Sequence, residues 1–136
     1  MKVILLLPML FLFCCKSDPN AIKDNNAVQT EAQIIRKDVD VIGAHTSLQS
    51  DNPPVLIDVR TPAEYAEGHI EGSLMIDYKD DTFKSEIEKL DKDATYLIYC
   101  RSGGRSAKAS DYMISQGFKD VTNMNGGYLD WSEKYY

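Results

Sequence analysis

Apolar residues along this chain fall into short runs, set apart by polar turns and by stretches where they recur at helical spacing. Val55-Leu56-Ile57, just after Pro53-Pro54, predicts a buried strand. Leu74-Met75-Ile76 predicts a second, Thr95 to Tyr99 a third and Val121 to Met124 a last one. These runs are continuous rather than alternating, as expected of strands covered on both faces. Helical signals lie between them. Thr61 caps a short helix, Pro62 fits its first position, Glu64 completes a capping box and Gly68 ends it. Asp81 to Leu90 is amphipathic, with Phe83, Ile87 and Leu90 on one face. A helix is predicted from about Arg105 to Gln116, stopped by Gly117, and a terminal one from Tyr128 to Lys134. The alternation starts near Gln33, but no element is assigned before Val55. Strands alternating with helices predict an α/β architecture with a mostly parallel central sheet flanked by helices. There is no internal repeat.

The first residues break this pattern. Lys2 is a short positive region, and Val3 to Phe13 is an apolar run interrupted only by Pro8. That run is shorter than the about 20 residues a free-standing spanning helix needs. It reads as the core of a secretory signal. The run ends at Leu12-Phe13-Cys14-Cys15, which resembles a bacterial lipobox, although Phe13 stands where a small residue is usual. The expected organisation is therefore a signal segment 1–14, a polar tether 15–30 starting at lipidated Cys15, and a folded domain 31–136. An uncleaved anchor and simple secretion are the alternatives. On the lipidated reading the protein is exported and held at a membrane of the bacterial cell envelope, in the periplasm or facing the surface.

Composition narrows the choice of chemistry. The 136 residues suit one domain, with 43% hydrophobic and 26% charged residues. There are 15 basic and 21 acidic residues, which argues against general nucleic-acid binding. Loss of Lys2 with the signal leaves 14 basic residues against 21 acidic ones, so acyl chains rather than a basic patch would hold the membrane. Of the three cysteines, the signal removes Cys14 and lipid consumes Cys15. Cys100 is left without a partner in its own chain, which points to a reactive thiol or an intermolecular pairing.

Cys100 sits at the carboxyl end of a predicted strand, the edge where open α/β sheets bind ligands. It heads the loop Cys100-Arg101-Ser102-Gly103-Gly104-Arg105-Ser106 and leads straight into a helix. Two glycines permit a turn that aims several N–H groups at one spot, and the helix start adds positive character. Arg101 and Arg105 contribute cations. A free cysteine has a pKa of about 8.5, and such surroundings lower it to about 3.5–7.5. The thiolate is the nucleophilic form.

Three motifs, in order, resemble the rhodanese family. They are the six-residue loop from Cys100 to Arg105, the stretch Leu56 to Ser73 (LIDVRTPAEYAEGHIEGS), and Met124 to Trp131 (MNGGYLDW). The resemblance covers roughly Thr30 to Tyr136. It implies the rhodanese-like three-layer sandwich and a sulfurtransferase. Cys100 would carry a sulfane sulfur as a persulfide, taken from a thiosulfate-like donor and given to a thiol or cyanide. It implies no metal or organic cofactor. Phosphatases of the same fold carry a loop one residue longer, which suits a tetrahedral phosphate, whereas the shorter loop suits one sulfur atom. A non-catalytic persulfide carrier is the other alternative.

Arg101, Ser102, Gly103, Gly104, Arg105 and Ser106 are the expected substrate-binding residues around Cys100. Arg101 is either a solvent-facing cation or an attractor for an anionic donor. Arg105 either orients the loop or binds the donor, and Ser102 and Ser106 are also candidates for helix caps. Asp58, Arg60, Glu64 and His69 form a possible outer ring. Arg60 and Glu64 are expected to pair across the strand-to-helix corner. Asp58 is expected at a strand end facing the loop, and His69 to be a hydrogen-bonded spacer.

Overall fold

The computed structural model describes residues 33–136. The signal segment, Cys15 and the tether lie outside the described residues. Ten elements alternate along the described residues: β1 (Ile35–Val39), α1 (Val41–Leu48), β2 (Val55–Asp58), α2 (Pro62–Glu67), β3 (Leu74–Met75), α3 (Phe83–Glu88), β4 (Thr95–Tyr99), α4 (Gly104–Ser115), β5 (Asp120–Met124) and α5 (Gly127–Tyr135). The five strands form one sheet in the order β1-β5-β4-β2-β3. Every pairing is parallel.

Helices cover both faces, giving three layers. One core joins Phe83 and Ile87 of α3 and Ala109 and Met113 of α4 to Ile57, Ile98 and Val121 of the sheet. The other joins Val41 and Ala44 of α1 and Trp131 of α5 to Leu56, Leu97, Tyr99 and Met124. Successive residues of one strand thus feed opposite cores, as the period of two requires. Each large apolar side chain buried in these cores contributes about 1.5–3 kcal/mol.

The predicted elements from Val55 onward are all present, with boundaries shifted by a residue or two. The helix expected from Asp81 starts later, because Asp80 folds a turn by accepting from the Thr82 N–H and hydroxyl at 2.8 and 2.6 Å. Ile87 is fully buried and Leu90 packs beside it, so the expected apolar face is the one used. β1 and α1 are additions to the sequence reading. β1 (IRKDV) is a largely exposed edge strand whose partner, β5, lies at the far end of the chain.

Parallel strands end on one edge of the sheet. β4 lies between β5 and β2, so the residue following Tyr99 emerges in the middle of that edge. That residue is Cys100.

Candidate active site

Cys100 is 1% exposed although it heads a loop. Its thiol is held from within the loop. The Gly103 N–H donates to Sγ at 3.1 Å, and the Ser106 hydroxyl stands 3.4 Å away. Gly103 can donate because it adopts φ +101° and turns the chain into α4. A Cβ there would also press on Asn125 and Gly126 at 3.4 Å. Ser106 Oγ lies 3.0 Å from the Gly103 carbonyl oxygen as well, so one hydroxyl joins the thiol to the helix start. Neither Ser102 nor Ser106 caps α4 as expected, because Gly103 takes the N-cap position and no side chain bonds the first turn's N–H groups.

The outer side of the loop is fixed by α5. The Tyr128 N–H donates to the Cys100 carbonyl at 2.8 Å, and the Leu129 N–H donates to the Arg101 carbonyl at 3.0 Å. Two loop carbonyls are thereby committed to α5, while loop N–H groups face the sulfur. The contact demands glycine at 127, where φ is +62° and a Cβ would lie 2.5 Å from the Cys100 oxygen. The motif MNGGYLDW thus serves the site through its backbone. From the sequence this motif stood only as one of the three that carry the resemblance, without a role at the site. The paired glycines before a helix were the available signal.

Burial pushes the Cys100 thiol up. The Ser106 hydroxyl and the N–H groups of Ser106, Ser102 and Gly103 outweigh it and hold the thiol below its ordinary value. The cradle therefore favours an anion on sulfur.

Arg105 lies one residue before Ser106 in the first turn of α4, and the Glu64 carboxylate, with a smaller part from the Cys100 thiolate, favours its cationic form against the effect of burial. Its fork is engaged by Glu64 of α2, with Nη1 at 2.8 Å from Oε2 and Nη2 at 2.6 Å from Oε1. Glu64 Oε2 also accepts from the Thr61 N–H at 3.1 Å and its hydroxyl at 2.9 Å. The predicted capping box is present. Arg105 and the Thr61 donors hold Glu64 far below the usual carboxylate range, at about 2, against the opposing effect of burial.

This overturns the expected pairing of Arg60 with Glu64. Arg60 pairs instead with Asp58, two residues back, through Nη2 at 2.7 Å from Oδ2 and Nε at 3.0 Å from both oxygens. Both residues are buried. Arg60 also donates to the Gly68 carbonyl at 2.7 Å, and its guanidinium lies 4.2 Å from the Tyr128 ring centre. This pairing was not anticipated, because Asp58 was expected to face the loop and Arg60 to reach forward to Glu64. Here the two residues straddle the end of β2, where the chain is still extended. Asp58, expected to face the loop, is committed to Arg60 and the core.

The remaining expected residues divide clearly. Arg101, Ser102 and Gly104 are exposed. Arg101 carries no ion pair among the described residues. His69 places Nδ1 3.1 Å from the Tyr65 carbonyl oxygen and stacks on the Tyr65 ring at 3.7 Å. The structure thus joins Cys100, Gly103, Ser106, Arg105 and Glu64 in one constellation, and places Asp58, Arg60 and His69 in supporting contacts.

Comparison with known proteins follows the same lines. The rhodanese-like domain family matches residues 44–134. A sulfurtransferase of Allochromatium vinosum is 38% identical over 78 residues, covering 57% of this chain and 71% of that protein. The thiosulfate sulfurtransferase GlpE of Pseudomonas fluorescens is 37% identical, covering 60% of this chain and 72% of that one. Among solved structures, a rhodanese-like domain protein from Staphylococcus aureus superposes with a TM-score of 0.64 at 32% identity, over 70% of this chain and 90% of that one. The chain belongs to the rhodanese-like domain family, among its single-domain sulfurtransferases.

Proposed function

We propose that Cys100 is the nucleophile and carries the transferred sulfur as a persulfide. The observation that carries this reading is the ring of donors around Sγ, which lowers the thiol's pKa in a buried position. In the first half-reaction, the thiolate attacks the outer sulfur of a thiosulfate-like donor. A new S–S bond forms, the donor's S–S bond breaks, and sulfite leaves with the electron pair. The charge that was on Cys100 now rests on the outer sulfur of its persulfide, within reach of the same donors. In the second half-reaction, a thiolate or cyanide attacks that outer sulfur, and the Cys100 thiolate leaves. Dividing one transfer into two displacements is covalent catalysis, and the fixed N–H groups stabilise each anionic state without reorganising. Exposed Arg101 is positioned to draw an anionic donor to the loop.

The test is the intact mass of the domain after incubation with thiosulfate. A gain of one sulfur, removed by cyanide and missing in Cys100→Ser, is the expected result. No gain on a reduced, alkylatable Cys100 would overturn thiosulfate as donor. Turnover retained in Cys100→Ser would overturn the nucleophile.

The N-terminal sequence supports a further reading, that the protein is exported and anchored in the bacterial envelope by lipid on Cys15. Cys15→Ala should release it from membranes, and unchanged partitioning would count against the anchor.

A further inference from the structure

Arg105 presents a planar fork of donors beside an anion-binding loop, and Glu64 already fills that fork. A guanidinium grips a carboxylate and a phosphate in the same two-pronged way. The Glu64 carboxylate therefore occupies, from inside the chain, the place a tetrahedral oxyanion would take on Arg105. It is braced there by the two Thr61 donors, so it cannot leave without breaking the start of α2.

We propose that Glu64 is a specificity-determining residue: its carboxylate fills the Arg105 fork, so that a phosphate cannot seat on the loop beside Cys100, and leaves the cradle suited to a single anionic sulfur, with the sulfonate end of a thiosulfate-like donor met by exposed Arg101 instead. This rests on the sulfur-transfer reading for what the cradle is meant to hold. The charged groups that bear on Cys100 are few. Arg105 faces it from α4, Arg101 lies on the loop, Glu64 reaches Arg105 from α2, and Asp77 bears on Arg105 from the segment after β3. Arg60 and Asp58 neutralise each other in the core. Glu64 thus pairs with a cation whose charge interacts with that of the Cys100 thiolate. Without its charge, the cradle would gain one positive charge and an open fork.

The test exploits a permissive exchange. Glutamine is accepted at the third helical position of a capping box, so Glu64→Gln keeps the start of α2 while removing the charge. The readout is alkylation of Cys100 by anionic iodoacetate relative to neutral iodoacetamide, with and without inorganic phosphate. No sulfur donor is involved, so failure of this inference is separable from failure of the sulfur-transfer reading, which shows as no thiosulfate-derived mass gain on the native protein. In Glu64→Gln the rate ratio should rise about three- to tenfold, as expected for freeing a charge-assisted pair, and phosphate should now protect the thiol. Arg105→Gln, which strands the Glu64 charge, should lower the ratio below the native value. The double variant should restore it. An unchanged ratio without phosphate protection in Glu64→Gln overturns the proposal. So does an unchanged ratio in Arg105→Gln, which carries the test even if Glu64→Gln fails to fold.

Discussion

The Tyr128 N–H donates to the Cys100 carbonyl at 2.8 Å, joining the first turn of α5 to the residue that heads the loop before α4. The bond explains why a motif far along the chain accompanies the cysteine. A loop that turns its N–H groups toward one sulfur must direct its carbonyls elsewhere, because buried carbonyls need donors. Helix α5 supplies two N–H groups from its own start, where such groups lack intrahelical partners.

Gly127→Ala tests that arrangement. The side chain would stand 2.5 Å from the Cys100 oxygen and 2.7 Å from the Arg101 carbonyl group, at a residue with φ +62°. Strain of this kind costs about 1–3 kcal/mol, before α5 and the loop are pushed apart. The expected result is a lower denaturation midpoint together with slower alkylation of Cys100 at neutral pH. A variant that lost stability but alkylated at the native rate would show that α5 does not set the cradle.

Asp58 and Arg60 make a different prediction. Both are buried, and Arg60 ties the end of β2 to Gly68 and to the Tyr128 ring. Asp58→Ala leaves a buried cation unpaired and should cost about 3–5 kcal/mol in urea denaturation. Replacing both residues together, as in Asp58→Leu with Arg60→Met, should recover most of that loss, since apolar pairs of similar volume often match buried ion pairs. Equal losses in the single and double variants would deny the coupling.

The sequence was most legible where local chemistry decides structure. Thr61, Pro62, Glu64 and Gly68 define α2 by themselves, and the observed caps use those residues. The apolar runs of β2 and β4 needed no partner to be recognised, since both faces are covered. β1 was illegible because its pattern is that of an exposed edge, and its partner among the described residues, β5, lies 85 positions away in register, Ile35 against Asp120. The loop around Cys100 was readable as a cradle from its glycines and the following helix. The ion pairs around it were not. Arg60 had two carboxylates nearby in sequence, Asp58 and Glu64, whereas Arg105 had none close by, and only the fold decides that Glu64 crosses to Arg105, 41 residues on.

Ser106→Ala isolates one donor of the cradle. The hydroxyl is buried, stands 3.4 Å from Sγ, and is among the groups that hold the thiol low. The Gly103 carbonyl would keep a partner, since the Ala107 N–H donates to it at 3.0 Å. The hydroxyl favours the thiolate over the thiol, and a preference of about 0.5–1.5 kcal/mol would move the alkylation midpoint upward by up to about one pH unit when it is lost. An unmoved midpoint would leave the backbone N–H groups as the whole cause.

The Glu64–Arg105 pair should also leave its mark on stability at low pH. Glu64 falls from its usual 4.5 to about 2 in the folded protein. A carboxylate whose folded pKa is depressed contributes stability that is fully present above its unfolded value and is lost as pH falls through the folded one. The window is therefore pH 4.5 down to about 2. Because the pair still touches solvent, its contribution is about 1 kcal/mol rather than the full linkage value. Urea denaturation of the native protein across that window should show the loss, and Glu64→Gln, which has no carboxylate to protonate, should show a flatter profile by the same amount. Parallel profiles for the two proteins would mean that Glu64 titrates normally and that the bond to Arg105 does not persist in solution.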